Sequence, residues 1–506
     1  MRSPVMPSGY PERSAQLRWQ ALAEAALVFL GTLWYFRWKL LQWNGSIDFD
    51  GHYHFKVAQW IAKTGFWFDI PWLPFTVLGE QGPDYVWLWH LTLIPFTGFA
   101  DPAEGLVWAT AFNGAATAGV LALVMRMLGV PGAPMFALLA ISASVLMPYR
   151  LMMLRGQNIA IIFTVLSVWA MARGRYKTLA LLAFLFMQSY HAAVILGPIA
   201  AMACALQSAR ERRLVLAPLL AVAVGELLAL VLSPWFPRHI EYLIFHVLYK
   251  QVVHGEYLSS LVGSEWYPPG WRNILLYSWP THLMLGAALA FMALRVFRQP
   301  GIRPAPETWL AIGVAFLALG LQFSSVRYVE YYVPFAVLGA GLVARDHWPA
   351  ATAAWWRRAA LAAWMLVAAR VGFAAVDQVT VVPSDYLAKI GERLNALGRP
   401  GEIVFNSAWT EFTVLLWHAD RLRYVAGLDG HYLAYRDPGR FALWIGLASG
   451  TVADPVDVLV KAFGARFVVV SPPHRKLAQQ LAASDRAILQ VESKEGWLFE
   501  IPSGGK

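Results

Sequence analysis

The run Ser46-Ile-Asp-Phe-Asp-Gly-His-Tyr-His-Phe-Lys56 sets Asp48, Asp50, His52 and His54 within seven residues, just past the first long apolar segment. Carboxylates beside imidazoles suit a divalent cation, because hard oxygens supply charge and neutral nitrogens complete the shell. The same carboxylates suit a general base held close to a bilayer. Acidic pairs one residue apart also occur in solvated loops that do no chemistry. The flanking sequence has to choose among these.

On both sides of the run the chain is apolar. It is 58% hydrophobic and 14% charged over 506 residues, the composition of a polytopic α-helical membrane protein. The net charge of +10 comes from Lys and Arg gathered in short loops between apolar segments, as the positive-inside bias requires. No basic face with interleaved aromatics stands on a soluble stretch, which excludes a nucleic-acid partner. The only cysteine, Cys204, falls in an apolar run, so a disulfide framework and a cysteine zinc site are excluded. Residues 1–20 carry Arg2, Arg13 and Arg18 and read as a cytoplasmic tail. No small-residue cleavage site follows, so the next apolar stretch is a retained first span.

Apolar length and Lys/Arg loops predict about 11 spans, with a transmembrane domain over residues 21–378. The first three are expected at 21–41, 105–124 and 134–147, and the fourth runs to 172. Two short spans share 179–206 about an apex at Gln188-Ser-Tyr-His191; further spans cover 214–232 and end near 294 and 323. The last two start near 332 and end near 375. The first outer loop, 43–104, holds Tyr85-Val-Trp-Leu-Trp-His-Leu-Thr-Leu-Ile-Pro-Phe96, which is too short to span and rich in tryptophan, hence an interfacial helix. A second long outer loop covers 233–272. Tyr190 and His191, at the apex of the short spans, read as core polar residues. Arg37 and Lys39 oppose the inside bias and either snorkel or anchor an anionic headgroup. From residue 379 to 506, short β-rich runs alternate with helical ones, which predicts a soluble α/β domain. An odd span count places that domain outside an inner (cytoplasmic) membrane, in the periplasmic or extracytoplasmic space.

Five basic residues fall on the outer side of this topology: Arg150, Arg155, Arg238, Lys250 and Arg327. A charge at membrane depth costs about 2.5–3.5 kcal/mol, so it is usually kept for a partner. A planar guanidinium matches phosphate oxygens two at a time. Snorkelling accounts for some of the five; the rest point to a lipid-linked phosphate.

Asp50-Gly-His-Tyr-His-Phe-Lys56, followed by an amphipathic stretch that stops at Gly65, resembles the first outer loop of the GT-C glycosyltransferases. It is most like the catalytic subunit of oligosaccharyltransferase, and the chain is similar to the polyprenyl-phosphate sugar transferases. Ser324-Ser-Val-Arg-Tyr-Val-Glu-Tyr-Tyr-Val-Pro-Phe335 resembles the GT-C segment whose arginine binds the donor phosphate. Gly263-Ser-Glu-Trp-Tyr-Pro-Pro269 is similar to the external-loop motif whose glutamate touches the acceptor. Asn406-Ser-Ala-Trp-Thr-Glu-Phe412 resembles the start of the family's soluble domain. The Trp-Trp-Asp-Tyr-Gly signature of sequon readers is absent, which counts against protein N-glycosylation.

The resemblance implies a GT-C-like fold with catalytic Asp50 and Asp48, donor-phosphate binding by Arg327, Arg155 and Arg150, and acceptor binding by Glu265. It implies a divalent cation, Mg or Mn, on Asp50, His52, His54 and Asp84. Gln157 and Asn158 stand where relatives place a second metal carboxylate, leaving Asp84, His90, Glu80 or the two loop histidines to substitute. Glu330, three residues past Arg327, is expected to orient its guanidinium. The expected protein is a hexosyl- or pentosyltransferase working among membrane lipids. It would move a sugar from a polyprenyl-phosphate or -pyrophosphate donor to a glycan, lipid or protein acceptor on the outer face. Oligosaccharyltransferase action on protein is an alternative within the same class. A lipid-linked sugar transporter or flippase is another, for which an inverted repeat or mid-membrane charges are expected and not found. A non-catalytic scaffold would leave Asp50 and Arg327 idle.

Overall fold

The computed structural model describes residues 11–43, 45–65, 70–79, 82, 84–249, 263–301, 303–348, 354–376 and 381–502; Glu80 and Lys250 lie outside them. Eleven helices among the described residues fall where apolar runs are expected. These are Pro11–Trp43, Pro102–Met127, Ala133–Ser142, Gln157–Ala172, Tyr176–Ser189, Leu196–Glu211, Ala217–Val231, Trp279–Arg298, Pro306–Gln322, Val329–His347 and Ala354–Val376. Three stretches among the described residues, Pro102–Met127, His191–Glu211 and Trp279–Arg298, are long and apolar enough to cross a membrane. Five further apolar helices run 10–17 residues. Val329–His347 is buried along almost its whole length, as befits a helix whose middle, from Tyr331 to Ala344, carries no charge. It packs against Trp279–Arg298, Pro306–Gln322 and Ala133–Ser142 at the centre of the bundle.

Local chemistry sets the helix ends. Asp-Pro pairs start three helices: Asp101 accepts from the Ala103 amide at 2.9 Å, Asp437 from Arg440 at 2.9 Å and Asp454 from Asp457 at 3.0 Å. The proline at the first helical position gives up an amide that has no intrahelical acceptor anyway. The third span stops at Ser142, short of the expected 147. Here the Tyr277 carbonyl accepts from the Val145 amide at 2.8 Å and from the Ser144 hydroxyl at 2.9 Å, and that hydroxyl accepts from the Leu146 amide at 3.2 Å. With these donors satisfied from outside, the chain leaves the helix and re-enters one as the short turn Met147–Leu151. Arg37 pairs with Glu104 at 3.4 Å and lies over Trp108, and Lys39 lies over Trp38 and Trp43.

Between residues 43 and 104, the run expected to lie along the membrane forms a helix at Trp87–Leu93, continued by a tighter turn at Ile94–Gly98. Strands β1 (Gly45–Ser46) and β2 (Val382–Pro383) pair antiparallel, tying this stretch to the start of the C-terminal segment. Beyond it, β3 (Ile403–Asn406), β4 (Arg423–Tyr424), β5 (Ala465–Val470), β6 (Ile488–Ser493) and β7 (Gly496–Glu500) form one sheet in the order β4-β3-β5-β7-β6. Strands β4, β3 and β5 run parallel, and β7 is antiparallel to both of its neighbours.

This C-terminal unit closes over the segment between the first two long helices. Tyr53, Val57 and Ile61, one turn apart on helix Asp50–Thr64, share a buried cluster with Trp72, Phe412, Leu416, Tyr424 and Tyr432. Trp72 donates to the Asp420 carbonyl at 2.8 Å, its own carbonyl accepts from the Tyr424 amide at 2.7 Å, and Lys56 pairs with Asp420 at 2.9 Å. Sidedness has a direct test. Reporters fused after Ala209 and Arg298 should score cytoplasmic, and those after Ser264 and Lys506 external. A cytoplasmic carboxy terminus would contradict an odd number of crossings.

Candidate functional site

Asp50 opens helix Asp50–Thr64. Just before it, Asp48 accepts from the Gly51 amide at 3.3 Å, placing a carboxylate on the first turn where helix dipole and free amides favour it. A Cβ on Gly51 would lie 3.1 Å from the Asp48 carboxylate, so glycine leaves room for this close return. Asp48 is 4% exposed and Asp50 27%. Asp50 faces a polar cavity of about 80 Å³ whose wall also carries Tyr85, Arg155, Tyr190, Glu265 and Arg327.

Four segments far apart in sequence meet at this cavity through one ionic network. Arg155, in the turn before helix Gln157–Ala172, donates to Asp48 through Nε, reaches Asp50 at 3.2 Å and bonds Glu265 at 2.7 Å. Arg327 bonds the same Glu265 Oε1 at 2.7 Å and stacks on Trp266, 4.1 Å from the ring centre. Its buried Nε has no hydrogen-bond partner among the described residues. On the other side of Arg327 lies a second cavity of about 290 Å³, lined by Val194, Ile195, Leu321 and Tyr331 as well as Arg150. Tyr190, His191, His246, Trp266 and Arg327 line both spaces.

Several sequence expectations change here. Glu330 does not orient Arg327. It pairs with Arg150 across 180 residues, both side chains about 5% exposed, because the break after Ser142 brings Arg150 beside the central helix. Arg150 lines the second cavity with its charge already matched. Arg155, expected on the donor phosphate, bonds three carboxylates. Glu265 bridges two arginines. Tyr190 and His191 pack in the core as expected, and both also line the cavity walls.

The ligand set Asp50, His52, His54 and Asp84 does not assemble. His52 packs edge-on against Trp417 at 5.2 Å. His54 Nδ1 bonds His90 Nε2 at 2.8 Å, and His90 Nδ1 bonds Asp84 at 2.6 Å, so a hydrogen-bonded chain leads away from the cavity. Asp50 turns to Arg155 instead. Among the described residues no three His, Cys, Asp or Glu side chains gather at metal-binding distance. The donors present do not fit a divalent cation, since the cavity carboxylates already hold guanidinium groups. Gln157 bonds the Arg150 carbonyl at 3.0 Å and Asn158 the Leu151 carbonyl at 3.2 Å, so both serve the turn.

Burial sets the titration of these groups. Enclosure pushes the Asp50 carboxyl up to about 6, with Arg155 pulling against it and Asp48 adding to it. Burial raises Glu265 too, but Arg327 and Arg155 outweigh it and hold that carboxyl well below its usual range. His54 is held well below its ordinary value by burial, with His90 and Arg155 adding to the effect, and so is neutral. Sequence reasoning missed Asp429 and Tyr432, which the C-terminal unit brings to the same cavity. Asp429 starts helix Gly430–Arg436 by accepting from the His431 amide at 3.0 Å, and Tyr432 bonds Tyr242 at 2.8 Å. Two larger cavities, about 390 Å³ beside Trp60 and about 550 Å³ among Phe291, Trp348 and Trp364, are lined by no buried carboxylate.

No protein-family model matches the sequence, and no curated protein sequence does. Solved structures do. The archaeal oligosaccharyltransferase AglB from Archaeoglobus fulgidus, in complex with an inhibitory peptide and a dolichol-phosphate, superposes with a TM-score of 0.61 at 13% identity. That match covers 97% of this chain and 75% of AglB. ArnT from Cupriavidus metallidurans bound to undecaprenyl phosphate gives 0.58 at 14% identity, covering 95% of this chain and 98% of ArnT. This chain shares the fold of these two structures, in line with the resemblance of its sequence motifs to the GT-C glycosyltransferases.

Proposed function

We propose that this chain is a multi-pass membrane glycosyltransferase that moves a sugar from a polyprenyl-phosphate-linked donor to an acceptor at the outer face. The observation that carries the reading is the pairing of Asp50 and Arg327 on one enclosed cavity, with an apolar-walled space behind the arginine. The dolichol-phosphate and undecaprenyl phosphate of the similar structures support it. In this reading the lipid phosphate meets the unspent Nε–H of Arg327, and the prenyl chain leaves along the apolar wall. Asp50 takes the proton of the acceptor hydroxyl as its oxygen forms a bond to the anomeric carbon. The bond from that carbon to the phosphate oxygen breaks, its electrons stay on the phosphate, and Arg327 balances the charge that develops. Both guanidinia bond Oε1 of Glu265, and we assign Oε2 to the acceptor. A glycan, a lipid or a protein side chain can present such a group.

The test is transfer by the purified full chain in vesicles supplied with a polyprenyl-phosphate-linked hexose or pentose. The expected result is release of the polyprenyl phosphate with transfer of labelled sugar. Passage of intact donor across the bilayer without cleavage would instead identify a flippase. The pH profile follows from Asp50. A base works ionised, so kcat/KM should rise with pH below about 6 and level off above it. A profile flat from pH 4.5 to 8 would remove Asp50 as the titrating base.

A further inference from the structure

Arg155 places each of its three guanidinium nitrogens on a different carboxylate. Nε meets Asp48, Nη2 meets Asp50 at 3.2 Å and Nη1 meets Glu265 at 2.7 Å. Two of these carboxylates come from the first outer loop and the third from the second, and Arg155 itself comes from the turn between Met147–Leu151 and Gln157–Ala172. A shell of hard oxygens around one central cation is what a divalent ion would demand. Here the centre is occupied by a group covalently attached to the chain, and the side chain is only 15% exposed. Unlike a metal, a guanidinium prefers oxygens in its own plane at hydrogen-bond length. That spacing keeps the three carboxylates too far apart to share an ion.

We propose that Arg155 is the resident cation of this site and stands in for a divalent metal ion. It cross-links the two outer loops and aims Asp50 into the cavity, so the native protein works without a bound metal. In the terms of the transferase reading Arg155 is a positioning residue, and only its effect on turnover rests on that reading. The charge balance makes the claim testable without turnover. Within the ionic network Asp48, Asp50 and Glu265 bond Arg155 and Arg327, three negative charges against two positive. Without Arg155 the count is three against one, and the excess of two is what a divalent ion neutralises.

The experiment is Mn²⁺ binding, followed by electron paramagnetic resonance, to the full-length protein in lipid nanodiscs. Arg155→Ala should bind one Mn²⁺ roughly 10²-fold or more tighter than the wild type, because a like charge a few ångströms away has gone. Arg155→Gln keeps much of the side chain's length and should show the same gain if the alanine variant folds poorly. Adding Asp50→Asn to either variant should weaken the new site. Wild-type sugar transfer should be unchanged by EDTA. Tight Mn²⁺ binding by the wild type, or no gain in a folded charge-neutral variant, would overturn the proposal. Loss of wild-type turnover in EDTA that Mn²⁺ restores would overturn it too. Absence of any wild-type turnover would count against the transferase reading and leave the Mn²⁺ comparison intact.

Discussion

Asp50→Asn should remove sugar transfer almost completely while the protein still folds and still holds its donor. The lost proton acceptor corresponds to roughly 10²–10⁴ in rate for general-base catalysis. Asparagine keeps the shape and retains an acceptor oxygen for Arg155, and position 50 is the most open of the three carboxylates around that arginine. Asp48→Asn should be milder. Asp48 sits behind the cavity, where it holds Arg155 and the first turn of its helix, and an amide oxygen can still accept from Gly51. Turnover and donor binding measured on the same preparations separate the two effects. Wild-type turnover by Asp50→Asn would end the assignment of this loop as the reacting site.

Arg327→Ala should lower the single-turnover rate by roughly 10²–10³ with a smaller change in donor affinity, the size expected when one preorganised donor to a developing oxyanion is lost. The separation of rate from affinity is the informative part. A contact that strengthens as negative charge collects on the departing phosphate appears in the rate, and one that is equally strong throughout appears only in binding. Arg327→Lys should recover part of the loss, because the ammonium keeps charge but has no planar fork to share between Glu265 and a phosphate. It also gives up the flat stacking on Trp266. Equal rates in wild type, Arg327→Lys and Arg327→Ala would leave Arg327 as a loop residue paired with Glu265.

What the sequence discloses about this site depends on how local the signal is. The helices are readable from their apolar runs, and Asp50 and Arg327 stand out because charges beside apolar runs are rare. The end of the third span is not readable. It depends on the Tyr277 carbonyl, more than 130 residues away, rather than on any helix breaker at Ser142. The network of Asp48, Arg155 and Glu265 is hidden for the same reason, since its links span 107 and 110 residues. Without those distances Glu330 looks like the partner of Arg327, three positions along its own helix. The fold instead gives it to Arg150. The histidines mislead in a similar way. Close spacing of His52 and His54 invites a metal, but successive even positions on a helix point to different neighbours. One meets Trp417 and the other His90. In the C-terminal unit β3, β5, β6 and β7 are legible from their β-rich runs, and the two-residue β4 is not. The arrival of Asp429 and Tyr432 at the cavity depends on the whole unit packing over Tyr53, Val57 and Ile61.

The most direct test of the central claim is mass spectrometry of the lipids that copurify with Asp50→Asn. Blocked after donor binding, this variant should carry a polyprenyl phosphate still bearing its sugar, close to one per protein. Adding Arg327→Ala should reduce that occupancy less than it reduces the single-turnover rate of the otherwise native enzyme. Recovery of only bulk membrane phospholipids, from Asp50→Asn and wild type alike, would contradict a lipid-linked sugar as the substrate of this cavity.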